Sequence, residues 1–360
     1  MIMRKRNIII TLSFLLVFSG AYAGNEDRAG EAGASELLIN PWTRSSGWGG
    51  ANTASIKGIE AMNHNVAGLS FTKNTELVAS NTRWLGGTGI NIFSFGLAQK
   101  LGESGGVLGL TFTSMDFGEL EVTTVDQPDG GFGTFDPGYL NIGLGYSKRF
   151  SNSISGGLVV RLVSESTADL NASGVAIDAG VNYTTGENDA FKFGITLRNV
   201  GPTMKYSGNG LSFRSDIPNS DKTLTVSQRS SDFELPSLVN IGASYDFYLT
   251  DVSETEDEEV YADHRITASG TFTSNSFSRD QLRFGAEYSF QEMFMARVGY
   301  VFEDEALDED LSRTTSVGPT FGATIEVPLG RSNSTLGIDY SYRVTRTFDG
   351  SNAIGLRLTF

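Results

Sequence analysis

Apolar and polar residues alternate with a period of two, segment after segment, through most of this chain of 360 residues. No other feature constrains the fold as strongly. In the last segment Ile354, Leu356, Leu358 and Phe360 share one face, and Gly355, Arg357 and Thr359 share the other. The segment before it sets Leu336, Ile338, Tyr340, Tyr342 and Val344 against Gly337, Asp339, Ser341 and Arg343. Leu282, Phe284, Ala286, Tyr288 and Phe290 likewise oppose Arg283, Gly285, Glu287 and Ser289. Successive side chains of an extended strand point to opposite faces, so such a run builds a sheet with one apolar and one polar face.

An exported sandwich also alternates, but three features favour a transmembrane barrel. The segments are uniform and close to the ~9–11 residues of a tilted strand that crosses a bilayer. The polar face carries charges within strands (Arg161, Asp178, Arg198, Arg283, Glu287, Asp339, Arg357), as a wet lumen requires. Aromatic residues recur near segment ends (Trp84, Tyr146, Tyr183, Tyr245, Phe247, Tyr288, Phe290, Tyr300, Phe302), where interface girdles lie. The chain also closes a strand on Phe360, the terminal aromatic that serves as an insertion signal in bacterial barrels. The strands are expected at 76–86, 90–100, 105–114, 139–149, 154–163, 174–184, 190–199, 237–248, 263–273, 281–290, 293–302, 316–327, 335–344 and 352–360. They amount to an all-β fold, a 14-stranded antiparallel barrel over 76–360, and the number is even, as bacterial barrels require. Both wall ends then face the periplasm. The short turns at 101–104, 150–153, 291–292 and 328–333 fall on that side, and the long connections 115–138 and 200–236 fall outside. One inner turn, 249–262, is long and acidic.

Arg4, Lys5 and Arg6 precede an apolar run from Ile8 to Phe18, followed by Ala21-Tyr22-Ala23. This is the pattern of a secretory signal over residues 1–23 with cleavage near Ala23. The run is shorter than the ~20 residues a spanning helix needs. The expected location is therefore the bacterial outer membrane, with membrane lipid and lipopolysaccharide as surroundings.

Composition removes other chemistries. There is no Cys, which excludes disulfides, thiolate metal sites and cysteine nucleophiles. With two His, a zinc centre is not expected. A net charge of -15 is unsuited to nucleic acid, which asks for a basic footprint. No nucleophile elbow, Walker or dinucleotide motif occurs, so neither an enzyme, a catalytic residue nor a cofactor is expected. The acidic run 251–263 lacks calcium-loop spacing and reads as a solvated face; the run 303–310, on an outer loop, reads as solvated in preference to bridging divalent ions to lipopolysaccharide phosphates.

Residues 24–75 are rich in small residues and contain Trp42, Trp48 and the apolar series Ile56, Ile59, Ala61, Met62, Val66, Ala67 and Leu69. A periplasmic plug folded into the lumen suits them better than a solvated tail, with Ile59, Met62, Asn65 and Leu69 as its packing residues.

The stretch Gly58 to Phe71 resembles the plug signature of barrels related to the FadL fatty-acid transporters, in which small residues precede Asn-Pro-Ala-Gly-Leu. Here Asn65, Ala67, Gly68 and Leu69 keep the frame and Val66 stands in place of Pro. A closer resemblance is to the PorV/PorQ outer-membrane barrels of Bacteroidota. It rests on the order of Gly106 to Phe112, Met115 to Leu120, Thr123-Thr124, Ile177 to Val181, and Gly194 to Pro202 with Met204-Lys205-Tyr206. That resemblance implies a role in type IX secretion. The barrel would receive the C-terminal signal domain of a secreted cargo from the translocon and pass it to a surface attachment complex. It implies a FadL-like fold and three protein partners: translocon, cargo and attachment complex. The residues expected to grip a partner are on the outer loops: Phe132 and Phe135 in the first, and Tyr206, Leu211, Phe213, Ile217 and Phe233 in the second. Packing of these groups over the barrel mouth is the competing reading. A FadL-type transporter of hydrophobic molecules is the alternative function. A transporter should show a continuous apolar path or a strand kink beside the plug; a docking barrel should show a filled lumen.

Overall fold

The computed structural model describes residues 25–102, 105–216, 218, 222–254, 260–304, 314–315, 317–330 and 334–360. The secretory signal, residues 255–259 and 305–310 of the two acidic runs, Ile217 and parts of two inner turns lie outside these residues.

Fourteen long strands form the wall: β1 (Thr75–Arg83), β2 (Asn91–Lys100), β3 (Val107–Asp116), β4 (Gly138–Arg149), β5 (Ile154–Thr167), β6 (Leu170–Thr185), β7 (Phe191–Val200), β8 (Leu238–Tyr248), β9 (His264–Asn275), β10 (Gln281–Phe290), β11 (Phe294–Glu303), β12 (Gly318–Pro328), β13 (Thr335–Arg343) and β14 (Ser351–Thr359). Each pairs antiparallel with its neighbour in sequence, and β1 pairs with β14 to close the barrel. At this seam the Phe360 N–H donates to the Thr75 carbonyl at 2.9 Å. Closure leaves no free edge, which is what lets a sheet cross hydrocarbon.

The alternation in sequence becomes alternation in burial, clearest along β11. Leu144, Leu158 and Ile354 are each 59% exposed on the outside. Water penalises such a belt and a bilayer interior does not. Tyr146, Tyr183, Tyr245, Phe247, Tyr288, Tyr300 and Phe302 also point outward.

Two expectations need correction. Trp84 does not join a girdle. It continues the even-numbered inward set of β1 (Glu76, Val78, Ser80, Thr82) and is 8% exposed, under the Arg343 guanidinium at 4.6 Å. β5 and β6 run well past their expected ends and meet at a two-residue turn, Ala168-Asp169. Their outer extension carries Ser164, Glu165, Ser166, Asn171 and Ser173, so it rises above the apolar belt and lacks its hydrophobic signal. Residues 40–74 fill the lumen.

This plug is a chain of short helical turns at Thr43–Gly47, Ile59–Asn63 and Val66–Phe71. Trp42, Ile59, Met62, Val66 and Leu69 are almost fully buried and pack with Val78, Ala98, Val107 and Val159 of the wall. Glycines facing the lumen make the seat. A methyl group on Gly96 would come within 2.6 Å of Ile59, one on Gly145 within 2.8 Å of Met62, and one on Gly285 within 2.8 Å of Trp48.

Candidate docking site at the outer mouth

The inner and middle lumen is closed by specific bonds. Asn65 caps the turn Val66–Phe71 by accepting from the Ala67 N–H at 3.2 Å. Its amide donates to the carbonyls of Thr53 at 3.1 Å and Val181 at 3.3 Å. Val66 occupies the first position of that turn, where Pro is favoured because the N–H has no helical acceptor, so the replacement keeps the local geometry. Gly68 is required by contact: a methyl group there would strike the Ile56 carbonyl. Asn182 donates to the Ala54 carbonyl at 3.0 Å, and Ser269 and Thr271 donate to the Ala51 carbonyl at 2.7 and 2.8 Å. Arg161, paired with Asp178 at 2.7 Å, also donates to the Met62 carbonyl. Several charges inside the strands pair with neighbours in the same way: Arg297 meets Glu287 at 2.5 Å and Arg357 meets Glu326 at 2.9 Å. Below the plug, at the inner rim, lies a polar vestibule of about 940 Å³, whose lining includes Lys57, Lys100, Arg149, Asp246, Glu287 and Glu326.

The segment before the plug follows a path that its periplasmic assignment did not anticipate. Its first described residues are at the outer rim, where the Asn25 N–H reaches the Asn275 carbonyl at 3.4 Å and the Gly33 N–H the Glu234 carbonyl at 3.0 Å. Residues 25–39 form a strap that descends from this rim. Ala32 makes a parallel bridge to Glu234. Arg28 contacts Glu234 at 2.6 Å and lies over the Phe277 ring at 4.3 Å. Further in, Ala34 and Leu37 join an apolar cluster with Ile92, Met115, Val163, Met204 and Leu235 in the outer half of the lumen.

Tyr206 and Phe233 come together beside the strap, with ring centroids 5.5 Å apart. Gly33 passes so close under Phe233 that a methyl group would not fit. The Tyr206 hydroxyl donates to Glu165 Oε2 at 2.5 Å. These residues and Glu36 border an open pocket of about 340 Å³. Burial, then the nearby Glu165 carboxylate, pushes the Glu36 carboxyl up to about 7. Burial and the bond to Glu165 hold the Tyr206 phenol above its usual range.

The other outer-loop residues do not join this pocket. Phe135 pairs with Leu120 in a two-residue ladder within the first loop, and Phe132 stands 60% exposed beside it. In the second loop Ser212–Asp216 and Thr223–Ser227 form a projecting hairpin in which Phe213 faces Val226. Phe213, Leu224 and Val226 line one face of it, all exposed. Leu211 ends the turn just before, and its carbonyl accepts from the Gln228 N–H at 2.8 Å. The strap, Glu36 and Glu165 went unnoticed in the sequence: Glu36 and Glu165 are far apart and neither belongs to a motif. The run Gly33-Ala34-Ser35 of small residues is the one local hint of a tightly packed passage.

No protein-family model matches this sequence, and no curated protein does. Solved structures do. The CymD monoaromatic hydrocarbon channel is 11% identical over 89% of this chain and 97% of its own, with a TM-score of 0.55. The Pseudomonas putida toluene transporter TodX is 12% identical over 85% and 93%, with a TM-score of 0.50. A FadL homologue of Pseudomonas aeruginosa is 11% identical over 88% and 98%, with a TM-score of 0.48. At these identities the likeness is one of fold. The chain is a closed 14-stranded antiparallel β-barrel similar in fold to the CymD and TodX barrels. No helix among the described residues is long and apolar enough to cross a membrane.

Proposed function

We propose that this barrel is a docking component of protein export, binding a partner protein through its outer loops, and that its place is in type IX secretion as a receiver and carrier of cargo signal domains. One observation carries the docking part. The lumen is filled by a plug bonded to the wall at many points, while apolar side chains outside the membrane belt (Val125, Phe132, Phe213, Leu224) stand exposed on the outer loops. Exposed aromatic and aliphatic groups on a loop are the anchors from which protein interfaces are built. The type IX part rests on the resemblance to PorV/PorQ barrels in the order of the motifs from Gly106 to Tyr206.

Affinity purification of the native barrel from outer membranes tests this. Co-purification of secretion components is expected, and their loss on deletion of residues 120–136, with the heat-modifiable barrel band retained. Recovery of a bound fatty acid and no secretion protein would overturn the proposal.

A second reading, passage of small hydrophobic molecules, has its own observation. The ladder between β6 and β7 shifts register between Ile177 and Ala179, and Asn199 there has a φ of 58°. The Asn199 N–H is held by Asp178 at 2.7 Å, and the adjacent Arg198 donates to the Leu37 carbonyl of the strap at 3.3 Å. A bulge in the wall next to an apolar chamber is where a lateral exit would open. The named activities of CymD and TodX make this the natural rival.

A further inference from the structure

Charge is distributed unevenly around the inner vestibule, and strand order divides its lining into two arcs. On the arc from β7 to β12 cations and carboxylates meet. Lys192 pairs with Asp246, and Arg265 pairs with Glu287 at 3.2 Å and with Glu292 at 2.8 Å. Glu326 of β12 is taken by Arg357 at 2.9 Å. On the arc from β2 to β4 the cations have no such partners. Lys100 closes β2, Arg149 closes β4, and Lys57 comes from the plug. None of these three forms an ion pair among the described residues. Of the two other carboxylates in the lining, Glu60 is buried and accepts from the Ser45 N–H at 2.9 Å, and Asp189 belongs to the β6–β7 turn. The chain carries 42 acidic side chains against 27 basic ones, so composition does not account for an arc of unpaired cations.

The three cations face one space. The Lys57 ammonium lies 5.8 Å and the Arg149 guanidinium 5.2 Å from the centroid of the Phe71 ring. An aromatic face attracts a cation without neutralising it, so both keep their charge for a further partner. Strand parity turns the other two charges inward. Lys100 continues the inward set Ile92, Ser94, Gly96 and Ala98 of β2, and Arg149 continues Gly145 and Ser147 of β4. Val107 of β3 pairs with Lys100 on one side and with Ser147 on the other. Lys100 and Arg149 are therefore two strands apart, ~10 Å across the sheet.

We propose that the inner vestibule receives an acidic peptide segment of a periplasmic protein, laid over Phe71 with its carboxylates on Lys57, Lys100 and Arg149. This site is separate from the outer loops and stands independently of what they bind. The spacing selects a chain over a small ion. One small anion cannot reach charges two strands apart, whereas side chains on one side of an extended peptide recur every ~7 Å and can meet them in turn. The inward parity selects a soluble partner over lipid, because the charges point into the lumen and away from the surrounding leaflet. The paired arc offers no comparable attraction, so the segment lies on the β2–β4 side.

The test uses the full mature barrel in nonionic detergent and a fluorescently labelled hexaglutamate, with hexaglutamine as the neutral control. Fluorescence anisotropy should show saturable binding of hexaglutamate, weakening as salt shortens the Debye length below ~10 Å, and no binding of hexaglutamine. Lys100→Gln combined with Arg149→Gln should weaken binding roughly tenfold. Arg229→Gln, at an exposed position of an outer loop, should leave it unchanged. An absence of saturable binding, or equal affinity in the double variant, would overturn the proposal. So would displacement of the peptide by phosphatidylglycerol added to the micelles, which would assign these cations to lipid. Should the double variant fail to fold, Lys57→Gln decides: a loss of several-fold is expected, and an unchanged affinity would overturn the proposal equally.

Discussion

The plug and the strap are consecutive stretches of one chain, yet the barrel holds them in opposite ways. The plug, residues 40–74, is buried against lumenal glycines, and its carbonyls at Ala51, Thr53, Ala54 and Met62 all accept bonds from the wall or from Asn65. The strap, residues 25–39, is buried only at its inner end, by Ala34 and Leu37; at the rim it is tied by one parallel bridge, by the Asn25–Asn275 bond and by Arg28–Glu234, whose partners are 34% and 52% exposed. Buried, bonded contacts fix a structure, and half-solvated ones leave it adjustable. The difference teaches where change can occur in this molecule: at the outer mouth, beside the loops that present Phe132 and Phe213.

The largest expected effect tests the fixed side. Glu287→Ala leaves Arg297 buried without its partner, which costs about 3–5 kcal/mol. Thermal unfolding in detergent should show a large drop, or the heat-modifiable band should vanish. Met62→Ala empties a site enclosed by Gly109 and Gly145 and should cost about 2–5 kcal/mol by the same measurement.

Smaller effects belong to the strap. Its Glu36 carboxyl is raised to about 7, above the ordinary value of 4.5. The folded strap therefore keeps a proton that the released strap gives up, and its stability falls as pH rises from about 4.5 to 7, with no further loss above. The protection factors of residues 30–37, which remove the intrinsic rise of amide exchange with pH, should fall across that interval, and Glu36→Gln should flatten their profile. Exchange in the plug should not follow the same curve. The smallest change is Arg28→Ala, expected to cost no more than about 1 kcal/mol because the pair is half exposed. A loss as large as that of Glu287→Ala would erase the distinction between the two regions.

Much of this was legible in sequence because a membrane barrel writes its wall as alternation. Each long strand carries one apolar and one small or charged face, and segments such as 281–290 and 352–360 need no context to be read. The plug was legible for a related reason: Trp42, Trp48 and the series from Ile56 to Leu69 need burial, and the glycines of the wall leave room for them. Trp84 was misplaced although its even-numbered parity with Glu76, Val78, Ser80 and Thr82 marks it as inward. The outer ends of β5 and β6 were missed because they stand above the belt, where hydrophobicity no longer has to alternate. The strap and its Glu36–Glu165 pair depend on contacts between residues remote in sequence, and no local pattern encodes those. The charges in the strands were read correctly as lumenal, but the sequence gives no sign of whether such charges face water or a plug.

The plug closes the lumen, and the docking role we propose lies on the outer loops. Uptake of a labelled long-chain fatty acid by proteoliposomes containing the purified mature barrel tests it most directly. No uptake above that of empty liposomes is expected. Saturable uptake, abolished by Asn199→Pro at the β6–β7 bulge, would contradict it and favour transport.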